Sequence, residues 1–525
     1  MLPPKDVPRP DLDAGKYDWH FKKCSTPRVA EVPVFYRSGD RATTVRAGPY
    51  WGGAVKIERQ QVPELTPALI RRIKQAALAA APAAVPAGAR ALRDTVDALR
   101  PDGGKSSGFI HPGGYAGAEE LALLRERLEG GAPLQAAAKE SLLTPMCAHY
   151  AFVEMDASMA YRNAVAYAAT GDERYASQAM DSVMAWARTN KAFGIEERNG
   201  PLEVAWGCSA MARAMDLLRA TWPGFRQEHL STFMSWVRTV LMPQMDYYVD
   251  VLNPGLLEGR AKETVWYGNW PATMSDAMMA VGVLSDDRPR YERGLALYRA
   301  TVEGYLRWGR GRYAKGRMIG ETTETLRDVY HTLFGLGSLI QAAETAWGQD
   351  TDVYSEQRYA LAAAMELHAR IINAYESSDE GALPSGFRFF ESMPQAPEGC
   401  AWSWDMYSQS WSSHPKSGHS GKCGALKDKY KYLLGIKYLP NGFEIGYNHF
   451  VGRLGMKMPE TAALLRQHPV DWFAFCWGLG TLTHAGTAEQ LWRAGVGPAT
   501  LCAKEPRKPQ PKVKKGSSNK RPFVS

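Results

Sequence analysis

The sequence predicts an all-α protein built from stacked antiparallel helix pairs. Three observations predict it. From Ala118 to about Tyr375 the apolar residues recur at helical spacing almost without interruption. The connections between these segments are mostly short and carry Gly, Pro, Asn or Asp. Strand-type alternation is scarce. Consecutive helices of similar length joined by short loops pack as antiparallel neighbours. Such pairs can stack in a line or curl into a ring, and the absence of a fixed-period repeat speaks against a regular solenoid.

Taken in order, residues 1 to about 60 are rich in Pro and Gly, with aromatic patches at Val34-Phe35-Tyr36 and Tyr50-Trp51. They predict an irregular arm with one or two short strands. Leu65 to Arg100 is Ala-rich with helical periodicity, and Pro101 to Tyr115 is a Gly/Ser/Pro break. Helical patterns then cover 118–129, 133–144, 148–169, 173–190, 203–221, 227–249, 271–284, 289–309, 325–347 and 356–376. After Ser378 the pattern changes. Gly381 to Ser420 is rich in Gly, Pro, Ser and aromatics, and a long irregular insert in a helical body is often functional. Short helices resume at 424–435 and 457–468.

Composition bounds the rest. A chain of 525 residues forms one large domain or two to four ordinary ones, and 45% hydrophobic with 11% aromatic residues supplies a sizeable core. No apolar run reaches membrane-spanning length. Met1 to Lys22 is Pro-rich and charged with no apolar h-region, so the chain is either cytoplasmic or a secreted or periplasmic protein whose signal peptide is absent. The net charge of +8 is concentrated. From Lys504 onward eight Lys/Arg face a single acid, Glu505, which accounts for seven of those charges and leaves the body near neutral. This tail, 503–525, reads as a disordered basic segment, and the charge of the whole chain is no argument for nucleic-acid binding. None of the seven cysteines forms a CxxC pair. Cys147, Cys208 and Cys476 sit in apolar helical contexts, and Cys400 and Cys423 could pair in an oxidising compartment.

Four stretches concentrate polar groups among aromatics. In Trp266-Tyr267-Gly268-Asn269-Trp270-Pro271, Pro271 suits the first turn of a helix and puts Asn269 near its N-cap, where the amide either caps or faces a cleft. In Glu324-Thr-Leu-Arg327-Asp328-Val-Tyr330-His331, helical spacing predicts Glu324, Arg327 or Asp328, and His331 on one face. Burying that many polar groups is costly unless they are paired or used, so the stretch is either an anionic-substrate site or a salt-bridged helix start. The third is Gly446-Tyr447-Asn448-His449-Phe450 with Arg453. The fourth, Gly108-Phe109-Ile110-His111-Pro112-Gly113, is read as a turn with a turn histidine.

From about Phe109 to Thr483 these pieces, in this order, resemble the alginate lyase superfamily of polysaccharide lyases, most closely family 38 and more distantly family 5. The resemblance is carried by Phe109 to Gly113, by Tyr161-Arg-Asn163-Ala-Val-Ala-Tyr167 with Thr170-Gly171-Asp172 and Ala185-Trp186, and by Asn269-Trp270. It continues through Glu324, Arg327, Asp328 and His331, then Ala346-Trp347, Tyr447-Asn448-His449 with Arg453, and Gly480-Thr481-Leu482-Thr483. Two departures bear on substrate choice and activity: Tyr330 stands where Gly is usual, and Thr325-Leu326 where Ser-Gly is usual.

The resemblance implies an (α/α) toroid over 109–500, preceded by the arm and Ala-rich segment of 1–108. It implies cleavage of an acidic polysaccharide of the alginate or glucuronan type by β-elimination, with no cofactor and no metal. Nothing in it implies a membrane or nucleic-acid partner, and the oligomeric state stays open. The chemistry needs the uronate carboxylate neutralised, a base at C5 and an acid at the departing O4. Asn269 and Arg327 are then the carboxylate ligands, His331 the base, and Tyr447 or its rival Tyr330 the acid. Glu324 and Asp328 would orient them, with Tyr267, Trp270, His449 and Arg453 as further substrate contacts. Trp266, Trp402, Trp404 and Trp411 either stack on sugar rings or pack their loops. Two alternatives remain: a glycoside hydrolase using Glu321, Glu324 and Asp405, and a glycan-binding toroid without turnover.

Overall fold

The computed structural model describes residues 108–114, 116–128, 142, 153–192, 200–258, 268–306, 320, 322, 324–325, 329–376, 404–405, 410–411, 442–468 and 479–486. The arm, the Ala-rich segment, the predicted helix at 424–435 and the basic tail lie outside the described residues. So do Cys147, Cys400, Cys423 and Cys476, whereas Cys208 is buried as its context predicts.

The helices are α1 (Ala118–Leu128), α2 (Val153–Thr170), α3 (Glu173–Thr189), α4 (Gly200–Thr221) and α5 (Gln227–Trp236). α5 runs on through a π turn (Val237–Leu241), a helical stretch (Met242–Tyr247) and a second π turn (Tyr248–Leu252). Then come α6 (Asn269–Leu284), α7 (Arg288–Tyr305), α8 (Val329–Gly348) and α9 (Glu356–Glu376). Last are α10 (Phe443–Tyr447), which continues as a π turn (Asn448–Arg453), α11 (Pro459–Gln467) and α12 (Gly480–Thr483). Local chemistry sets the starts. Asp172 caps α3 by accepting from the Arg174 amide at 3.0 Å, and Asp287 caps α7 by accepting from the Arg290 amide at 3.0 Å. Pro289 and Pro459 sit in first turns, where the missing N–H is harmless.

Among the described residues the only strands are Trp404–Asp405 and Ser410–Trp411, which pair antiparallel inside the predicted irregular insert. Of the predicted helix 133–144 only Leu142 is described. One expectation is corrected. The helix predicted from 325 begins at Val329, and Glu324 lies in the turn before it, so Glu324 and His331 do not share a helix face. Thr322, through its hydroxyl and its amide, bonds locally to Glu324 and Thr325 and favours the turn over helix.

The helices form two layers. α2, α4, α6 and α8 run parallel and are neighbours in that order. Gly207 abuts Val153, and the Tyr167 hydroxyl donates to the Thr221 carbonyl at 3.2 Å, which fixes α2 beside α4. Ser209 donates to Asp276 at 2.6 Å and Arg219 to the Leu284 carbonyl at 2.7 Å, which fixes α4 beside α6. The Thr273 and Ser338 hydroxyls meet at 2.9 Å between α6 and α8. α4 and α6 are buried around almost their whole circumference, as inner helices must be. α3, α7 and α9 return antiparallel outside. Trp186 donates to Asp156 at 2.8 Å between α3 and α2, and His368 meets Thr325 at 3.0 Å beside the start of α8. Gly282 lets α6 and α7 close up, because a Cβ there would stand 2.6 Å from the Tyr291 nitrogen. Parallel inner helices, each returned by an outer one, make this an (α/α) toroid.

A buried ion pair locks three inner helices together. Arg213 of α4 pairs with Asp276 of α6 and also donates to Gln341 at 3.3 Å and Thr345 at 3.2 Å on α8. The C-terminal end of the inner layer carries two more polar clusters. His111 sits 2.5 Å from Asp216 and 3.1 Å from Asp286, and Gln349 holds Ile110 through both its amide and carbonyl. Burial would lower the His111 pKa, but Asp216 and Asp286 outweigh it and raise it. His111 is therefore an ion-paired anchor and not the simple turn residue its Pro/Gly setting suggested. Glu344 of α8 accepts a fork from Arg453 at 2.6 and 2.9 Å and the Tyr354 hydroxyl at 2.8 Å.

Candidate active site

Parallel inner helices bring all their N-termini to one end of the ring, and that end carries the candidate chemistry. Asn269 is the first residue of α6 and is fully buried. Glu324 holds it twice. The backbone N–H of Asn269 donates to Glu324 Oε2 at 3.0 Å, and its side-chain Nδ2 donates to Oε1 at 2.9 Å. Gly268 lets this carboxylate approach, because a Cβ there would lie 3.1 Å from its carbon. The clamp fixes the rotamer of the amide. Asn269 Oδ1 has no hydrogen-bond partner among the described residues.

His331 is the third residue of α8, partly exposed, with its ring edge-on to Phe334 at 6.3 Å. Phe334 in turn meets Trp206 of α4 edge-on at 5.2 Å. Trp270 is half-buried, with its ring tilted against Tyr248 at 5.2 Å. Tyr330 lies in the first turn of α8, beside His331. Asn269, Trp270, Glu324, Tyr330 and His331 are thus gathered at one end. Arg327, Asp328, Tyr267 and Trp266 lie outside the described residues.

The third predicted stretch goes elsewhere. Gly442, just before α10, packs against Gly337, and Gly446 packs against Ile340 and Met365. Ile340 is nine residues beyond His331, roughly 13 Å along the axis of α8. Tyr447, partly buried, follows Gly446 at that level. His449 and Arg453 sit farther on, at the level of Trp347. The His449 ring stacks on Tyr354 at 3.9 Å and meets Trp347 edge-on at 4.9 Å, and the Arg453 guanidinium lies 4.8 Å from Trp347. Burial, then the Arg453 charge 3.2 Å from its Nδ1, drives the His449 pKa far down, so this imidazole stays neutral. Burial opposes ionisation of Glu344, but Arg453 and His484 outweigh it and hold the carboxyl well below the ordinary range. Glu120, Glu344 and His484 come close enough to share a cation, but the Arg453 fork already supplies the positive charge there. These groups tie the closing segments to the far end of the ring.

Two groups that sequence reasoning did not single out stand toward this end of the ring, and one of them joins the candidate site. Tyr305, the last residue of α7, donates to Glu324 Oε2 at 3.1 Å. Burial, then the neighbouring Glu324, pushes its phenol well above the ordinary range and keeps it a neutral donor. Glu154 opens α2 at the same end, and burial followed by repulsion from Glu203 pushes its carboxyl up to about 8. Both look like ordinary members of helical patterns in the sequence, and only the ring geometry gives them neighbours.

Residues 143–378 match the family model described as Alginate lyase. No curated protein sequence matches the chain. Among solved structures, alginate lyase A1-III from Sphingomonas species A1 is similar at 15% identity, over 56% of this chain and 87% of that one, with a TM-score of 0.38. A His-to-Ala variant of alginate lyase A1-III complexed with tetrasaccharide is similar at 15% identity, over 55% and 82% of the two chains, with a TM-score of 0.38. A Tyr-to-Phe variant complexed with tetrasaccharide gives 15% identity, 50% and 78%, and 0.37.

Proposed function

We propose that this polysaccharide lyase, a member of the alginate lyase superfamily, carries out β-elimination on a uronic-acid chain bound across the N-terminal ends of its inner helices. The observation that carries the reading is the double clamp of Glu324 on Asn269 at the start of α6, with His331 at the matching end of α8. A preset amide is what the reaction needs. The C5 proton becomes removable only as negative charge moves into the neighbouring carboxylate, and a fixed donor stabilises that charge without reorganising.

On this reading the roles divide as follows. Asn269 offers its remaining amide N–H to the substrate carboxylate, and Arg327 supplies the charged fork. His331 takes the C5 proton, since histidine is the side chain whose ordinary pKa lies nearest neutrality. Tyr330 protonates the departing O4. It is favoured over Tyr447 because its backbone lies in the same first turn as His331, whereas Tyr447 follows Gly446 at the level of Ile340. Four parallel helix N-termini direct partial positive charge toward this end, which suits a polyanion. Glu154, protonated up to about 8, adds little negative charge against it at neutral pH. Among the described residues no helix is long and apolar enough to cross a membrane, and a polymeric substrate supports a secreted or periplasmic enzyme over a cytoplasmic one.

The test is a panel of uronans (poly-mannuronate, poly-guluronate and glucuronan), followed by the ultraviolet absorbance of the C4–C5 unsaturated product. Absorbance growth with one member supports elimination. A new reducing end without the chromophore would mean hydrolysis and sink the reading.

A further inference from the structure

We propose that Tyr305 is a positioning residue of the lyase reaction, acting through Glu324 on Asn269. The inference rests on the reading that Asn269 binds the uronate carboxylate. Tyr305 is fully buried, so its hydroxyl acts on whatever it bonds to within the protein. It reaches Glu324 Oε2 at 3.1 Å and the Thr332 carbonyl at 3.4 Å. Thr332 follows His331 directly, so one hydroxyl touches both the carboxylate that holds Asn269 and the backbone that carries the candidate base.

The geometry explains why a phenol serves here. Glu324 has two oxygens with different duties: Oε1 accepts from the Asn269 side chain at 2.9 Å, and Oε2 accepts from the Asn269 backbone at 3.0 Å. Both of these bonds run to one residue, Asn269. The Tyr305 hydroxyl adds a donor from a different helix and ties the clamp to α7. Hydrogen bonds to a charged acceptor are the strong ones, so this contact can hold a geometry to the tolerance catalysis needs. The space for the phenol comes from Gly335 on α8, where a Cβ would lie 2.5 Å from the Tyr305 hydroxyl oxygen.

A tyrosine that only filled the core would affect stability and leave turnover alone. The two roles separate in a double-mutant cycle. kcat and KM are measured on the uronan that the wild type cleaves, for wild type, Tyr305→Phe, Asn269→Ala and the double variant, together with the urea midpoint of each. Tyr305→Phe should lower kcat about tenfold while KM stays within about twofold. In the Asn269→Ala background the same substitution should change kcat by less than about twofold, because the route through Asn269 is already gone. Unchanged kcat in Tyr305→Phe, or an equal loss in both backgrounds, overturns the proposal and leaves the lyase reading standing. If the wild type yields no unsaturated product from any uronan, the lyase reading itself fails. Crystal structures of wild type and Tyr305→Phe then decide the positioning: an Asn269 amide that leaves Glu324 supports it, and an unmoved amide overturns it.

Discussion

Replacing Asp276 by Asn should be among the most destabilising single changes in the inner layer. The Arg213 side chain is 1% exposed and the Asp276 side chain 0% exposed, so neither charge has water to fall back on. Asn keeps the shape but removes the charge, leaving a guanidinium buried between α4, α6 and α8. Breaking a buried pair in this way costs about 3–5 kcal/mol, a large share of the roughly 5–15 kcal/mol that holds a domain together. With a urea m-value of about 3 kcal/mol/M, the midpoint should fall by about 1–1.7 M. The assay is equilibrium urea unfolding followed by tryptophan fluorescence and circular dichroism. The control is the double change Arg213→Met with Asp276→Leu, which removes both charges and should recover to within about 1 kcal/mol of wild type. A loss under about 1 kcal/mol for Asp276→Asn would refute the reasoning, as would a double variant no better than the single one.

Other outcomes follow from the site. His331→Ala should lower kcat by about 10²–10⁴-fold as loss of a general base, and Asn269→Ala should lower kcat more than it raises KM, both read from product absorbance. His449→Phe keeps the stack on Tyr354 and should leave kcat within about threefold, since His449 lies at the far end of α8; a large loss would bring it back into the active site. Glu154 keeps its proton to about 8 when folded, against an ordinary value of 4.5. The unfolded chain therefore binds fewer protons across that window, and stability falls as pH rises through it. Glu154→Gln should flatten that slope, measured as the urea midpoint at the two ends of the window. Incubation with EDTA should leave the rate of a purified active preparation unchanged.

How far the sequence could be read depended on the range of the interaction. The helices were legible because apolar period and capping are local: Asp172 and Asp287 announce α3 and α7 a few residues ahead. Asn269 was legible as a residue near a helix start, because Pro271 marks the turn. The partner of Asn269 was not, since Glu324 is 55 residues away and was assigned to the wrong local structure. Spacing placed Glu324 on the same helix as His331, whereas the Thr322 and Thr325 hydroxyls hold it in a turn. The Tyr447–Arg453 stretch has the right residue types for a binding site, and only the packing of Gly446 on Ile340 shows how far along α8 it sits. Tyr305 gave no usable signal and His111 read only as a turn histidine, because what matters about each is the carboxylate it meets across the ring.

The ring divides its connections unequally. Segments leading from an inner helix to its outer partner are brief: two residues separate Thr170 from Glu173, and three separate Leu284 from Arg288. Segments leading back inward are longer: ten residues separate Thr189 from Gly200, sixteen separate Leu252 from Asn269, and 23 separate Tyr305 from Val329. These three lead into the helix starts at the end where Asn269 and His331 stand. Loop exchange should be tolerated there, because the Arg213–Asp276 lock and the Glu344–Arg453 fork lie deeper in the ring or at its opposite end. The molecule is in effect a fixed base under a replaceable face.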